Sequence, residues 1–340
     1  MPNIKDVVKG NQKKLSKDAR REQVKKLLQK RPMNDHEAAE DAGVSVAIIR
    51  RILKELRTGG ANFIRTGDRL FLHNVVETGG KLTLKAKDRG DGWIVFGFCT
   101  DKHLCNSHER LDVLNAAYDR FAAEGVTDVF DAGNWIDGEA RFNKQELLRF
   151  GMDNQLDYLI DVHPQRNGIV THYVSGDDHE GWYAQRECIN IGSYLEMKAK
   201  KAGRNDLQFL GHVEADVELK AKNSTNTRTV MRVMHPGGGS AYAFSYAPQK
   251  LVESFQGGEK PTVLLIGHYH KFDYCYPREV HVVSGGCMVD QTMFMRKNKI
   301  AAHVGYCLVK IKQDPDRGHV TNLAVDWNPF YDRGFYEQRF

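Results

Sequence analysis

Residues 262–270 read "TVLLIGHYH". An apolar, largely β-branched run of the kind that forms a buried strand stops at Gly267 and is followed by His268, Tyr269 and His270. Residues two apart on an extended chain face the same side, so the spacing predicts two imidazoles presented together, as ligands to two neighbouring metal ions. The same punctuation recurs upstream. "WIVFGFCTDKH" (93–103) ends in Asp101 and His103, and "VTDVFDAGNWIDG" (126–138) ends in Gly133 and Asn134 with Asp137 behind. "GIVTHYVSGDDHEG" (168–181) ends in Asp177, Asp178, His179 and Glu180, and "TVMRVMHPGGG" (229–239) in His235. One Asp-x-His or one strand-end histidine means little, because most buried histidines are satisfied core residues. Five apolar strands in order, each ending in imidazole, carboxylate or carboxamide, predict a metal site assembled at strand ends, with ligands that suit Mn, Fe or Zn.

The order of these pieces, "DKH", "GNWID", "DDHE", "VMH" and "GHYH", resembles the calcineurin-like metallophosphoesterase superfamily, over roughly residues 93–312. The resemblance implies an α/β (α+β) fold, a four-layer αββα sandwich of two mixed sheets. It implies that Asp101, His103 and His270 hold one divalent metal and that Asp178, His235 and His268 hold a second, with residue 134 bridging. His179, beside Asp178, would then stabilise the phosphoryl group or protonate the leaving oxygen. Two such metals, about 3.5 Å apart, activate a water or hydroxide for in-line attack. Mn heads the expected ions, followed by Fe, Zn and Ni. The chain departs from the family pattern twice: Asn134 replaces the bridging Asp, and Asp178 replaces the Asn before the histidine. The expected consequences are a looser metal pair, bridging shared by Asp177, Asp178 or Asp131, or a weakened site. Either Asp177 or Asp178 fits the motif position, and adjacency to His179 favours Asp178.

The first quarter has a different character. Residues 1–60 hold 15 Lys and Arg against 8 Asp and Glu, a net +7, which leaves the rest of the +5 chain at −2. A basic head on a mildly acidic body suggests a polyanionic partner. Helical patterns at 17–31, 34–43 and 44–60, then the alternating "ANFIRTGDRLFLH" (61–73), resemble a winged helix-turn-helix domain. Its third helix would present Arg50, Arg51 and Lys54 to a major groove, and its wing would place Arg65 and Arg69 near phosphates. The division expected from these patterns is a basic flexible arm (1–16), a winged helix (17–73), a linker (74–92), a metallophosphoesterase domain (93–325) and an aromatic tail (326–340). The tail is expected to cover a sheet edge or to contact a second copy in a homo-oligomer.

Composition bounds the rest. The chain of 340 residues is 41% hydrophobic and 10% aromatic, enough for a large core. No apolar run near eighteen residues and no leader-like start give the expectation of a cytoplasmic protein with no membrane partner. Six scattered cysteines without a CxxC pair argue against a zinc knuckle or disulfide framework. Helices are expected at 107–124, 143–160, 184–202 and 248–256. His163, His172, His212, His281 and His303 lie outside any motif and read as structural, Cys105 and Tyr269 read as packing residues, and Arg186 and Lys271 are candidates to meet phosphate. The glycine-rich 235–246 stretch is not a P-loop, because no Gly-Lys-Ser/Thr follows. The functional expectation is a metal-dependent phosphodiesterase, a nuclease acting on DNA. The alternatives are a phosphatase or small-nucleotide phosphodiesterase with a regulatory winged helix, and a weakened DNA-binding scaffold.

Overall fold

The computed structural model describes residues 16–58, 63–66, 68–72, 82–85, 92–223, 229–239, 243–256 and 258–330. The chain divides into two compact units, Met1–Glu77 and Thr78–Phe340. Most of the expected arm, the wing tip at Gly67, much of the expected linker and tail residues 331–340 lie outside the described residues.

The first unit holds three helices, α1 (Lys17–Lys30), α2 (Asp35–Ala42) and α3 (Val46–Thr58), then a hairpin of β1 (Phe63–Thr66) and β2 (Arg69–Leu72). Local chemistry sets the boundaries. The Ser16 hydroxyl accepts the Ala19 N–H, and Asn34 and Glu37 form a capping box at the start of α2. Gly43 ends α2 in the left-handed conformation (φ 62°). Val24, Leu28, Ala38, Ile49, Ile52 and Leu53 close the core.

The second unit is built on two six-stranded mixed sheets. Its elements are β3 (Leu82–Lys85), β4 (Trp93–Cys99), α4 (Leu111–Ala123), β5 (Asp128–Asp131), α5 (Met152–Val162), β6 (Val170–Ser175), α6 (His179–Glu187), α7 (Ile191–Lys201), β7 (Leu207–His212), β8 (Glu214–Lys220) and β9 (Thr229–Met234). After these come α8 (Tyr246–Ser254), β10 (Val263–Ile266), β11 (Phe272–Cys275), β12 (His281–Gly285), α9 (Met293–Lys297), β13 (Gly305–Gln313) and β14 (Val320–Pro329). One sheet has the order β14-β13-β4-β5-β6-β7, with β4 to β7 parallel; the other is β11-β12-β10-β9-β8-β3, with β9, β10 and β12 parallel. Phe96, Phe98 and Val309 of the first sheet pack with Val217, Met231 and Leu265 of the second in one apolar cluster between them. Helices α4, α5 and α7 cover the outer face of the first sheet, and α8 packs on Leu264, Ile266 and Val282 of the second. The order of layers is helix, sheet, sheet, helix.

Several elements differ from the sequence reading. The helix expected at 143–160 is a single 3-10 turn at Lys144–Glu146 followed by α5, because Gly151 (φ 85°) interrupts the run. The helix expected at 184–202 is two, α6 and α7, separated where Cys188 turns left-handed (φ 54°). Residues 82–85, inside the expected linker, pair in parallel with β8, and β14 continues to Pro329, inside the expected tail. Residues 82–85 (LTLK) alternate apolar and polar, as the short strand-like piece in that stretch suggests, and β14 alternates through Leu323, Val325 and Trp327; each is stabilised by its partner strand. No helix among the described residues is long and apolar enough to cross a membrane.

Candidate metal centre

Strands β4, β5 and β6 run parallel in one sheet, as do β9 and β10 in the other, so their C-terminal ends deliver loops to one place, the usual location of sites in parallel sheets. These loops continue the sheet hydrogen bonding beyond the strands. Asp101 N–H donates to Gly133 O (3.0 Å), His103 N–H to Asn134 O (2.9 Å), His235 N–H to Val213 O (2.7 Å) and Gly267 N–H to Met234 O (3.2 Å).

Three groups of ligand-type side chains result, Asp101, His103 and His270; Asp178, His235 and His268; and, sharing His103 with the first, His103, Asp137 and His179, each with ligand atoms within 4.8 Å of one another. His270 Nε2 lies 3.3 Å from Asp101 Oδ1 and 3.0 Å from His103 Nε2. In the second cluster His235 Nε2 and His268 Nδ1 are each 3.4 Å from an Asp178 oxygen. Each is a two-histidine, one-carboxylate set. The remaining ring nitrogens are fixed by backbone: His235 Nδ1 bonds Ala132 O (2.6 Å) and His268 Nε2 bonds Gly238 O (2.6 Å), which leaves the other nitrogen of each ring with a lone pair for a cation. Asn134 stands between motif and metal chemistry with its N–H on Glu180 Oε1 (2.9 Å) and its side chain buried. A Cβ on Gly176 would lie 2.9 Å from Asn134 Oδ1 and from His235 Cδ2, and 3.1 Å from Asp178 Oδ1, so only glycine admits this convergence.

The imidazole pair is not presented as an extended strand would present it. β10 ends at Ile266, and His268 (φ 75°) and His270 (φ 56°) both adopt left-handed backbone, as do Asp101 (φ 51°), His103 (φ 46°) and Asn134 (φ 53°). The two imidazoles therefore part, one to each cluster. Left-handed conformations cost a non-glycine residue about 1–3 kcal/mol each and persist where surrounding structure demands them.

The donor set fits divalent cations. Asp101 Oδ1, Asn134 Oδ1 and His235 Nε2 are buried with no hydrogen-bond partner among the described residues, a costly state unless a ligand takes them. The cluster also demands positive charge. Burial disfavours ionised Asp101 and Asp178, yet His270 and His235 hold the first and His235 and His268 the second well below the usual carboxylate range. Burial opposes protonation of His235, but Asp178 and Asp101 push it up to about 9. A divalent cation supplies that charge without the proton.

Asp178, not Asp177, joins the second cluster; Asp177 is exposed and its carbonyl accepts from Gln185. Asp131 does not bridge, because its Oδ2 is paired with Lys102 in the core. His179 Nδ1 lies 2.8 Å from Asp137 O and 3.3 Å from its carboxylate, and its ring meets that of His103 at 4.3 Å between centroids. Burial opposes its charge, but the Asp137 bond and the charges of Asp137 and Asp178 carry it up to about 10. Asp137 itself is a hub, accepting from Asn106 and Asn143 and holding His103 Nδ1 at 3.0 Å.

Sequence reasoning gave Asp137 and Glu180 no role, although both fall inside the quoted motifs. Glu180 is fully buried, accepts the N–H groups of Asn134 and Gly176, and is pushed up to about 7 by burial. Lys102, Asn143, Phe142 and Phe294 carry no motif signal. Arg186 is engaged by Glu187 and Lys271 lies over the Phe244 ring. In the first unit Arg50, Arg51, Lys54 and Arg69 are exposed; Arg50 pairs with Asp35 and Arg69 with Glu37, while Arg65 lies on β1 with its side chain outside the described residues.

No protein-family model and no curated protein matches the chain. Among solved structures, the chain is similar to a novel archaeal phosphodiesterase, with 11% identity and TM-score 0.36 over 69% of this chain and 100% of that one. It is similar to zinc-complexed Vps29 from Entamoeba histolytica (13%, 0.31, 70% and 98%) and to a dimetal phosphatase from Danio rerio (10%, 0.35, 68% and 98%). Likenesses at this level leave the chemistry to be read from the side chains.

Proposed function

We propose that the second unit is a divalent-metal-dependent phosphodiesterase of the calcineurin-like metallophosphoesterase type and that the first unit brings it to DNA. The observation that carries this reading is the pair of facing two-histidine, one-carboxylate clusters beside His179, with buried ligand atoms that no other described residue satisfies. Asp101, His103 and His270, and Asp178, His235 and His268, would hold divalent cations, which would supply Lewis acidity and charge neutralisation for a phosphoryl group. Asn134, whose buried Oδ1 has no partner among the described residues, would offer the cations a neutral oxygen. His179 is the proton carrier: Asp137 fixes its Nδ1 side, so Nε2–H is the atom that hydrogen-bonds the phosphoryl group and passes its proton to the leaving alkoxide as the P–O bond breaks. Water contributes the new P–O bond, and its proton leaves to solvent. The exposed Arg51 and Lys54 of α3 support binding to a polyanion.

A second reading keeps the chemistry and takes a small phosphoester, with the first unit regulatory. It is favoured by the Arg50–Asp35 and Arg69–Glu37 ion pairs, which engage two of the five cations assigned to DNA. Purified protein assayed with Mn²⁺ on labelled single- and double-stranded DNA and on p-nitrophenyl phosphate separates them. The first reading expects EDTA-sensitive DNA cleavage, lowered on the order of 10²-fold or more by His179→Ala at unchanged metal content. Monoester hydrolysis without DNA cleavage establishes the second. No hydrolysis of either, in protein that binds DNA, leaves a scaffold.

A further inference from the structure

The cavity beside His179 has a half that phosphoester chemistry does not use. Its volume is about 290 Å³, and with the ligand residues it is lined by Phe142, Asn143, Phe294 and Ile300. Phe142 is 50% exposed and Phe294 39% exposed, although rings of this size are normally buried. Their centroids are 4.5 Å apart with planes 32° from parallel, and Phe142 stands 5.9 Å from the His179 ring at 85°. The pair is held in place from below. Glu146 Oε1 accepts the Met293 N–H at 2.9 Å, tying the loop that carries Phe142 to α9, which carries Phe294.

Asn143 adds a polar signal. It is 3% exposed, and its Nδ2 donates to Asp137 O (2.8 Å) and Oδ2 (2.9 Å). Both partners are acceptors, so the amide orientation is set by the network. Its Oδ1 is thereby left as a buried acceptor with no partner among the described residues, in a residue that lines the cavity.

We propose that this half of the cavity is a subsite for one unpaired nucleobase, that of the nucleotide carrying the phosphate to be cleaved. The aromatic pair stacks on its face and Asn143 Oδ1 accepts one of its N–H groups. The inference rests on the phosphodiesterase reading and narrows its substrate to single strands or strand ends. Every base has a π face and at least one N–H donor, so the subsite tolerates sequence. In a duplex the faces are stacked and the Watson–Crick donors engaged, and a cavity of this volume admits one nucleotide, not a helix. Already packed against each other before the ligand arrives, the rings require little ordering on binding.

The test uses the full chain with Mn²⁺ and a single-stranded oligonucleotide, compared with the same strand made of abasic tetrahydrofuran residues. Loss of one stacked base is expected to lower kcat/KM roughly 5- to 150-fold. The double variants Phe142→Ala/Phe294→Ala and Phe142→Leu/Phe294→Leu should abolish the difference in kcat/KM between the natural and the abasic strand, a ratio that a general effect on the site does not move; leucine keeps apolar bulk but not the ring. Both rings are half in solvent, so replacement opens no core. A second arm, in EDTA, follows fluorescence of a terminal 2-aminopurine, which stacking quenches, with quenching lost in both variants. Equal cleavage of natural and abasic strands by wild type, or variants whose ratio stays within twofold of the wild-type ratio, overturns the subsite while leaving the phosphodiesterase reading standing. Absence of any cleavage overturns that reading instead, and the quenching arm then decides the subsite alone: quenching retained by wild type and lost by the variants upholds it, and no quenching ends it.

Discussion

Lys102 is the residue between Asp101 and His103, and it should be among the least replaceable cations in the chain. Its side chain is 1% exposed and that of its partner Asp131 2%. Burial disfavours charge on Lys102, but the adjacent carboxylate more than offsets this and holds the ammonium charged. Asp131 ends β5, and its Oδ1 accepts the Gly133 N–H at 3.0 Å. The pair therefore ties the loop that carries Asp101 and His103 to the loop that carries Asn134. Lys102→Met keeps the apolar stem and leaves Asp131 buried with a single N–H partner. Breaking one side of a buried pair costs about 3–5 kcal/mol. Asp131→Asn strands the ammonium and should cost a similar amount, whereas the double replacement removes both charges and should recover most of the loss. All four tryptophans, Trp93, Trp135, Trp182 and Trp327, lie in the second unit. Urea unfolding followed by tryptophan fluorescence thus reports that unit, and the four proteins form a double-mutant cycle. A Lys102→Met loss under about 1 kcal/mol, or single losses that simply add in the double variant, would refute the claim that this ion pair is coupled and desolvated.

Three further outcomes follow from particular contacts. Gly267→Ala places a Cβ 2.2 Å from Thr100 Oγ1 and 2.7 Å from Asp101 Oδ2; a destabilisation of about 1–3 kcal/mol and fewer bound Mn²⁺ ions by elemental analysis are expected, and undiminished metal content would refute the close approach. His163 is buried, and burial together with the charges of Lys102 and Arg204 pushes its pKa well below the ordinary value. The unfolded chain takes up a proton below about pH 6.5 that the folded one refuses, so its contribution is present above that pH and falls by about 1.4 kcal/mol per unit as pH drops beneath it; His163→Gln should remove this component of the acid slope, and identical slopes would contradict it. Arg51→Ala and Lys54→Ala should each reduce the salt dependence of DNA binding by about one ion without changing hydrolysis of bis(p-nitrophenyl) phosphate, as measured by fluorescence anisotropy across a salt series.

The sequence by itself determined which residues gather. Apolar runs at 93–99, 170–175 and 229–234 are strands because their patterns are long, β-branched and sharply punctuated, and the polar residues that follow them can only lie at strand ends. That much put Asp101, His103, Asp178, His235, His268 and His270 in one neighbourhood. Strand periodicity could not decide how they are aimed; the split of His268 and His270 between two sets comes only from the family resemblance. Two residues of an extended strand would face one way; the left-handed backbone at 101, 103, 268 and 270 sends His268 to one cluster and His270 to the other, and such conformations are enforced by neighbouring loops and not by local preference. Adjacency to His179 favours Asp178 over Asp177, and the contacts with His235 and His268 agree; removing Asp131 from the site depends on a partner no motif signals, Lys102. The pairing of Phe142 with Phe294 across 152 positions has no periodicity at all and accompanies a tertiary contact, the bond from Met293 N–H at the start of α9 to Glu146. Ligand identity is local and chemical; ligand geometry is a property of the packed sheets.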